Sequence, residues 1–147
     1  MTGRSATGVQ VIGAGATLDD ALRPVVTEHR GVRVAWLGFA CTLPAGPAAT
    51  PDRPGIAPLR VLVRIEVDSS VLGEQPGTSP YVWTSVDPDD LALASRAVEM
   101  ARENADVVVL SIHWGVPPGW TAPFQGTLAD YQQPAARALI DAGADVV

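Results

Sequence analysis

The sequence predicts an α/β fold with a mostly parallel sheet in its C-terminal half and a β-hairpin in its N-terminal half. Two helices are indicated, at 88–104 and 128–142. The same four residues, Ala-Asp-Val-Val, follow the first helix directly and the second after Gly143. The first copy continues as the apolar run 107–112, and the second copy places a further strand at 145–147. Strand, helix and strand in this order form a crossover unit, so we expect two neighbouring parallel strands with the second helix packed across them.

The N-terminal half contains a hairpin signal. Residues 25–29 and 32–39 are β-branched runs separated by Arg30-Gly31, which is the length of a two-residue hairpin loop. The second run is apolar after Val34, so both of its faces are expected to be covered. Upstream, 9–12 is predicted as a short strand, and 18–23 as a short helix that Thr17 caps and Pro24 ends.

The middle of the chain is less regular. Residues 42–58 contain five prolines, which favours an ordered loop or a lid, or equally a simple connection. Residues 60–67 place Arg64 and Glu66 among apolar side chains and predict a strand with one wet face, followed by a polar loop over 68–80. Asp87 then caps the helix that Pro88 begins.

Composition excludes several classes of protein. The chain has 147 residues, 47% of them hydrophobic and 18% charged, which suits one folded domain or a piece of one. Its net charge of −6 argues against nucleic acid as a partner. One cysteine permits no internal disulfide. Because no apolar run reaches the length of a signal peptide or a membrane span, we expect no membrane segment and a soluble, cytoplasmic chain.

The strongest candidate for chemistry is His113, which directly follows the apolar run 107–112. Functional groups of open α/β sheets collect beyond the carboxyl ends of the strands. An imidazole there could bind a metal or transfer a proton, or could simply hydrogen-bond the backbone. His113 opens a Pro-, Gly- and Trp-rich loop that extends to Thr127, and Trp114 and Trp120 in this loop are candidate walls of a pocket.

Other residues suggest chemistry more weakly. Gly13 and Gly15 supply two glycines of a dinucleotide-binding fingerprint, but Leu18 stands at the third position, so a tight turn is the alternative. His29 is expected to be exposed beside the hairpin loop, and Cys41 to be a small buried side chain. We expect Trp36 and Trp83 to anchor the core or a loop. We expect solvated or capping roles for the carboxylates Asp106, Asp141 and Asp145.

Three segments together resemble a known family. These are 105–115, which includes His113-Trp114-Gly115, then Tyr131-Gln132, and then 138–147 with its Asp-Ala-Gly-Ala-Asp block. They are similar to the CapA-like capsule-synthesis family, a group of metallophosphatase-type proteins associated with poly-gamma-glutamate. The Gly13-Ala14-Gly15 segment and the hairpin fit the middle part of the same family.

The resemblance implies a four-layer α-β-β-α sandwich, of the metallophosphoesterase type, with a pair of divalent metal ions. It assigns His113 alone as a metal ligand. Independently of the resemblance, the position of Trp114, Gly115 and Trp120 beside His113 makes them candidates for substrate binding. The family's N-terminal and C-terminal metal motifs are not found in residues 1–147. The resemblance therefore implies a single incomplete domain that forms part of the sandwich, lacks most of the metal ligands, holds no metal on its own and is inactive by itself.

Three functions remain open. The leading hypothesis is the central part of a capsule-synthesis protein of the metallophosphatase type, acting as a phosphoester hydrolase on a small molecule or a polymer precursor. The first alternative is a non-catalytic ligand-binding or interaction module that uses the Trp114–Trp120 loop. The second is a small nucleotide-binding domain that uses Gly13 and Gly15.

Overall fold

A computed structural model describes residues 8–43, 46–115 and 128–147. Within these ranges the chain forms a mixed α/β fold. The helices are α1 (Leu18–Leu22), α2 (Ser69–Glu74), α3 (Pro88–Arg102) and α4 (Gln132–Asp141). The strands are β1 (Ala14–Gly15), β2 (Val25–His29), β3 (Val32–Ala40), β4 (Gly55–Ile56), β5 (Val61–Glu66), β6 (Tyr81–Val86) and β7 (Val107–His113).

The central sheet has the strand order β2-β3-β7. β2 and β3 are antiparallel, whereas β3 and β7 are parallel, with Trp36 opposite Val109 and Ala40 opposite His113. Val109 also forms a parallel bridge to Val146 after α4. The predicted crossover is therefore confirmed, although α4 begins at Gln132 rather than at residue 128.

The β2–β3 hairpin is confirmed with the predicted loop. Its two central residues, Arg30 and Gly31, have φ values of 53° and 81°. Positive φ at both positions is the requirement of the hairpin turn whose twist matches that of the flanking strands. The predicted cap of α1 is also confirmed, because the Thr17 hydroxyl accepts a hydrogen bond from the Asp20 N–H at 3.2 Å.

The core lies on one face of the central sheet. Helices α3 and α4 both pack there and bury small or branched side chains against alternate positions of β3 and β7. The main contributors are Ala94, Val98, Ala101 and Leu139 from the helices, and Ala35, Leu37, Val108 and Leu110 from the strands. Burial of these apolar side chains is the main force that holds the helices on the sheet.

The opposite face of the sheet is only partly covered by the described residues. Val32 is 45% exposed and Trp36 is 39% exposed, so the prediction that β3 is covered on both faces is wrong for its first half. The Trp36 indole is also no core anchor, since its Nε1 donates to Thr27 Oγ1 at the surface. Towards the carboxyl end the face closes, because the backbone of Gly13 packs directly on Gly38.

That contact corrects the prediction of a strand at 9–12. Regular pairing begins instead at β1, which pairs with β4 from the proline-rich segment. Gly13 has φ +71°, and a Cβ there would lie 2.7 Å from the Gly38 carbonyl oxygen. Gly15 is similarly pressed against α1. Both glycines therefore allow close packing in a tight turn. This is the alternative that the sequence offered to a dinucleotide-binding fingerprint.

The strands β5 and β6 form a separate antiparallel ribbon. Four side chains of β5 and its end, Leu62, Val63, Ile65 and Val67, are between 43% and 58% exposed, so the predicted strand exists but is wet on both faces. The loop predicted over 68–80 instead contains α2, which Asp68 caps through the Ser70 N–H. Trp83 on β6 is 42% exposed and is not a core anchor.

Among the described residues, no helix is both long enough and apolar enough to cross a membrane.

Candidate functional site

The site is built on three parallel chain segments that end at the same edge of the fold. β3 lies in the middle, with His113 of β7 opposite Ala40 on one side. On the other side Pro58 forms a parallel bridge to the same Ala40, and the Leu59 N–H donates to the Ala40 carbonyl oxygen at 2.9 Å. The residues after these positions, Trp114, Cys41 and Arg60, therefore leave the sheet along one edge.

His113 is the last residue of β7 and its side chain is exposed. Alternation along the strand places it on the same face as Val109 and Ser111, away from α3 and α4. Its carbonyl oxygen accepts a hydrogen bond from the Cys41 N–H at 2.8 Å. The imidazole is thus held by its backbone at the edge of the sheet while its ring remains open to solvent.

Gly115 packs closely against Thr42, which follows the end of β3. It has φ +29°, and a Cβ at this position would overlap the Thr42 side chain and lie 3.0 Å from Cδ2 of His113. A side chain at 115 would therefore displace either Thr42 or the imidazole. This gives the glycine of His-Trp-Gly a packing role; binding of a substrate at Gly115 stays a prediction.

Trp114 is half-buried and packs against the core. Its ring lies 5.8 Å from the ring of Tyr131, measured between centroids, and the Tyr131 hydroxyl donates to the Trp114 carbonyl oxygen. Tyr131 itself is 2% exposed, so this contact fixes the backbone that leaves His113. The predicted second wall, Trp120, lies outside the described residues.

Cys41 is buried at this edge, as predicted. Burial raises the pKa of its thiol to about 12, and a hydrogen bond with Tyr131 offsets only part of that effect. The thiolate is the reactive and metal-binding form of cysteine. At neutral pH Cys41 is therefore a packing residue.

The third chain end carries an ion pair. Asp90 in the first turn of α3 is 1% exposed, and Arg60 donates to it from its backbone N–H at 2.8 Å and from Nε and Nη2 at 2.7 and 2.6 Å. Burial raises the pKa of Asp90, but the bonds from Arg60 outweigh burial and hold that pKa below its ordinary value. Asp90 is therefore ionised at neutral pH and fixes the Arg60 guanidinium.

The carboxylates expected to be solvated or capping lie at the other edge, where two of them bond the backbone of strands and one is exposed. Asp106 accepts from the Arg33 N–H, and Asp145 accepts from the Val108 N–H, both at 2.8 Å. Arg102 joins them by donating to the Asp106 carbonyl oxygen and to Asp145. Asp141 is exposed at the end of α4. Exposed His29 also lies away from His113, at the hairpin loop.

The described residues do not by themselves fit a two-metal centre. Over 8–43, 46–115 and 128–147, no three His, Cys, Asp or Glu side chains come together in a way that could hold a metal ion. Each ion of a two-metal site needs several ligands. His113 has the position expected of one ligand. The thiol of Cys41 is protonated at neutral pH and is therefore a poor metal ligand.

Comparison with known proteins identifies the family. The family model for the bacterial capsule synthesis protein PGA_cap matches residues 4–147. The chain belongs to the PGA_cap family. Among its relatives, the capsule biosynthesis protein CapA of Bacillus anthracis is 30% identical over 136 residues, which cover 92% of this chain and 25% of that protein. The PGA biosynthesis protein CapA of Bacillus subtilis is 27% identical over 140 residues, which cover 95% of this chain and 27% of that protein.

Membership of the PGA_cap family confirms the resemblance seen in the sequence. The chain spans about a quarter of the length of these relatives. His113, Trp114 and Gly115 could be singled out from the sequence because they directly follow an apolar strand. Arg60 could not, since its partner Asp90 is thirty residues away and only the fold brings the two together.

Proposed function

We propose that this chain is the central part of a capsule-synthesis protein whose fold is a four-layer α-β-β-α sandwich. The partly open face of the β2-β3-β7 sheet supports this architecture. Both α3 and α4 lie on one face, while Val32 and Trp36 remain exposed on the other. A sheet with one apolar face uncovered needs another layer, and a second sheet packed there would complete the sandwich.

The functional part of the proposal concerns His113. The observation that carries it is the exposed imidazole at the carboxyl end of β7, beside the parallel end of β3, in a chain that the PGA_cap family model matches. We assign His113 as one ligand of a pair of divalent metal ions, with the other ligands outside the described residues. Such a metal pair supplies charge stabilisation and an activated water for phosphoester hydrolysis on a small molecule or polymer precursor.

The residues of the edge have supporting roles in this proposal. The Cys41 N–H holds the His113 carbonyl, and the bond from Tyr131 to the Trp114 carbonyl fixes the next residue. Gly115 leaves free the space in which a side chain would meet both Thr42 and the imidazole. Together these contacts fix the backbone of His113 and leave its ring open to a ligand. Preorganised ligands of this kind lower the cost of metal binding.

The activity test uses a protein that carries this chain together with the additional length its relatives have. Hydrolysis of bis-p-nitrophenyl phosphate is measured for the parent, for His113→Ala and for His29→Ala, which removes the other histidine far from the edge. We expect His113→Ala to lose about 10–100-fold in rate and His29→Ala to match the parent. Equal rates for all three proteins would contradict the assignment of His113.

A second candidate function is a binding module without a metal. It is favoured by the lack of a ligand cluster among the described residues and by the anchoring of Trp114 on Tyr131. The same assay separates the two candidates. If the extended protein shows no hydrolysis at any divalent metal concentration but still binds a capsule precursor, the binding module is the better account.

A further inference from the structure

A pocket of about 440 Å³ opens at the carboxyl edge of the fold. It is lined on one side by Cys41, whose backbone is bonded to His113, and on the other by Arg60 from the neighbouring parallel segment. Arg53 from the proline-rich segment reaches the same pocket. Pockets of 300–1,000 Å³ are the usual size for small-molecule sites. The pocket therefore brings two arginine side chains to the end of β3, on the side of the sheet that α3 covers.

Arg60 presents a fixed guanidinium. Its Nε and Nη2 are held by Asp90, which is 1% exposed, whereas the Arg60 side chain is 57% exposed and faces the solvent side of the pair. Within the described part of the chain, Nη1 has no hydrogen-bond partner. A guanidinium anchored on one edge offers its remaining donors without losing further side-chain entropy on binding.

Arg53 is the cation of the pocket that lacks a counter-ion. Its Nη2 donates to the Ala48 carbonyl oxygen at 3.2 Å, and over the described residues it forms no ion pair. The nearby acid Asp52 accepts from the Thr50 hydroxyl at 2.8 Å. The only carboxylate in the described lining, Asp87, accepts from the N–H groups of Asp89 and Asp90 as the cap of α3.

The rest of the lining is apolar. Leu43, Val61 and Leu62 form walls beside the two arginines. Leu62 is 48% exposed, so these side chains offer an apolar contact surface while the pocket stays open to water. The combination suits a ligand with an anionic end and a short carbon chain.

We infer that this pocket binds an oxyanion, a carboxylate or a phosphate group, through Arg53 and the free edge of Arg60. The pocket lies on the α3 side of the sheet, opposite the face that carries the His113 imidazole, so the inference is independent of the function proposed for His113. Guanidinium groups bind both oxyanions by paired hydrogen bonds. A phosphoester precursor and a carboxylate-bearing polymer unit share this chemistry.

The test titrates the 147-residue chain with inorganic phosphate and, separately, with glutarate, and follows the Arg Nε–H resonances by NMR. We expect saturable shifts of the Arg53 and Arg60 signals with at least one of the two anions. Arg53→Gln should weaken binding about tenfold, the value expected for one hydrogen bond to a charged group. Arg30→Gln, which removes a matched charge at the hairpin loop, should leave the affinity unchanged. Saturation by phosphate alone identifies a phosphate pocket, and saturation by glutarate identifies a carboxylate pocket.

Two results would overturn the inference: no saturable shift with either anion, or an equal loss of affinity in Arg53→Gln and Arg30→Gln. Because substitution of Arg60 would expose the charge of buried Asp90, Arg60→Lys is used only after circular dichroism shows that it folds. A failure of the proposed function can be distinguished from a failure of this inference, because anion binding by this pocket needs neither His113 nor a metal. His113→Ala should therefore leave the anion affinity unchanged.

Discussion

The backbone N–H of Cys41 donates a 2.8 Å hydrogen bond to the carbonyl oxygen of His113. This bond continues the β3–β7 pairing beyond its last matched residues, Ala40 and His113. On the far side of β3 the Leu59 N–H bonds the Ala40 carbonyl in the same way. Three chain ends are thereby tied together, and the side chains that follow them share one rigid edge.

Stability of that edge is expected to depend on Asp90. Asp90→Asn removes the negative charge that accepts three hydrogen bonds from Arg60. The substitution should lower the free energy of unfolding by about 1–3 kcal/mol. Water reaches the Arg60 side chain, which is 57% exposed, and this keeps the loss below that of a fully buried pair. Urea unfolding measures the change. Asp89→Asn, an exposed acid in the same helical turn, is the control, and an equal loss in both variants would refute a specific role of Asp90.

The same ion pair predicts a pH dependence. The folded pKa of Asp90 lies below its ordinary value of 3.8, so the unfolded chain binds the proton more readily than the folded chain does. The contribution of Asp90 is therefore complete above about pH 4 and is lost as the pH falls through the lowered pKa. Unfolding curves measured at decreasing pH should show that the parent and Asp90→Asn differ in free energy of unfolding at neutral pH. This difference should disappear only in acid. A difference that already disappears near neutral pH would contradict this sign.

Gly115 and Gly73 should respond to alanine with opposite signs. Gly115→Ala brings a methyl group into the Thr42 side chain and should destabilise the fold by about 1–3 kcal/mol. Gly73 lies inside α2 with nothing within 4 Å of the added Cβ, so Gly73→Ala should stabilise by about 0.5–1 kcal/mol. Thermal denaturation of both variants tests the pair. A neutral Gly115→Ala would show that Thr42 does not pack on residue 115.

Cys41 should be inert towards alkylation in the folded chain. Its pKa of about 12 leaves almost no thiolate at pH 8, and the side chain is buried. Iodoacetamide should therefore label the native chain far more slowly than the chain unfolded in urea, whose thiol has a pKa of ~8.5. Mass spectrometry gives both rates. Labelling at the same rate in both states would mean that the thiol is exposed.

The predictable parts of the fold are those with local signals. Arg30-Gly31 between two β-branched runs predicted the hairpin, and the repeated Ala-Asp-Val-Val after each helix predicted the crossover. α2 and β6 were missed although their signals are local: Asp68 is a typical cap before Ser69-Ser70, and residues 81–86 are rich in β-branched and aromatic side chains.

Other features have no local signal. The alignment of Pro58 with Ala40 depends on a proline-rich segment that pairs through single bridges. The exposure of Trp36 also could not be predicted, because an apolar strand does not reveal which of its faces the rest of the chain covers. For the site, the sequence predicted His113 by its position after a strand. The arginines were not predicted, since only tertiary structure brings Arg53 and Arg60 into one pocket.

The most direct test of the central claim, that the edge carrying His113 is a metal site of a capsule-synthesis protein, is metal content. Elemental analysis after dialysis compares the extended protein with its His113→Ala and His29→Ala variants. The proposal predicts about two divalent ions per chain in the parent and in His29→Ala, and a clear loss in His113→Ala, because one ligand is removed from an ion that needs several. Full metal content in His113→Ala, or an equal loss in both variants, would contradict it.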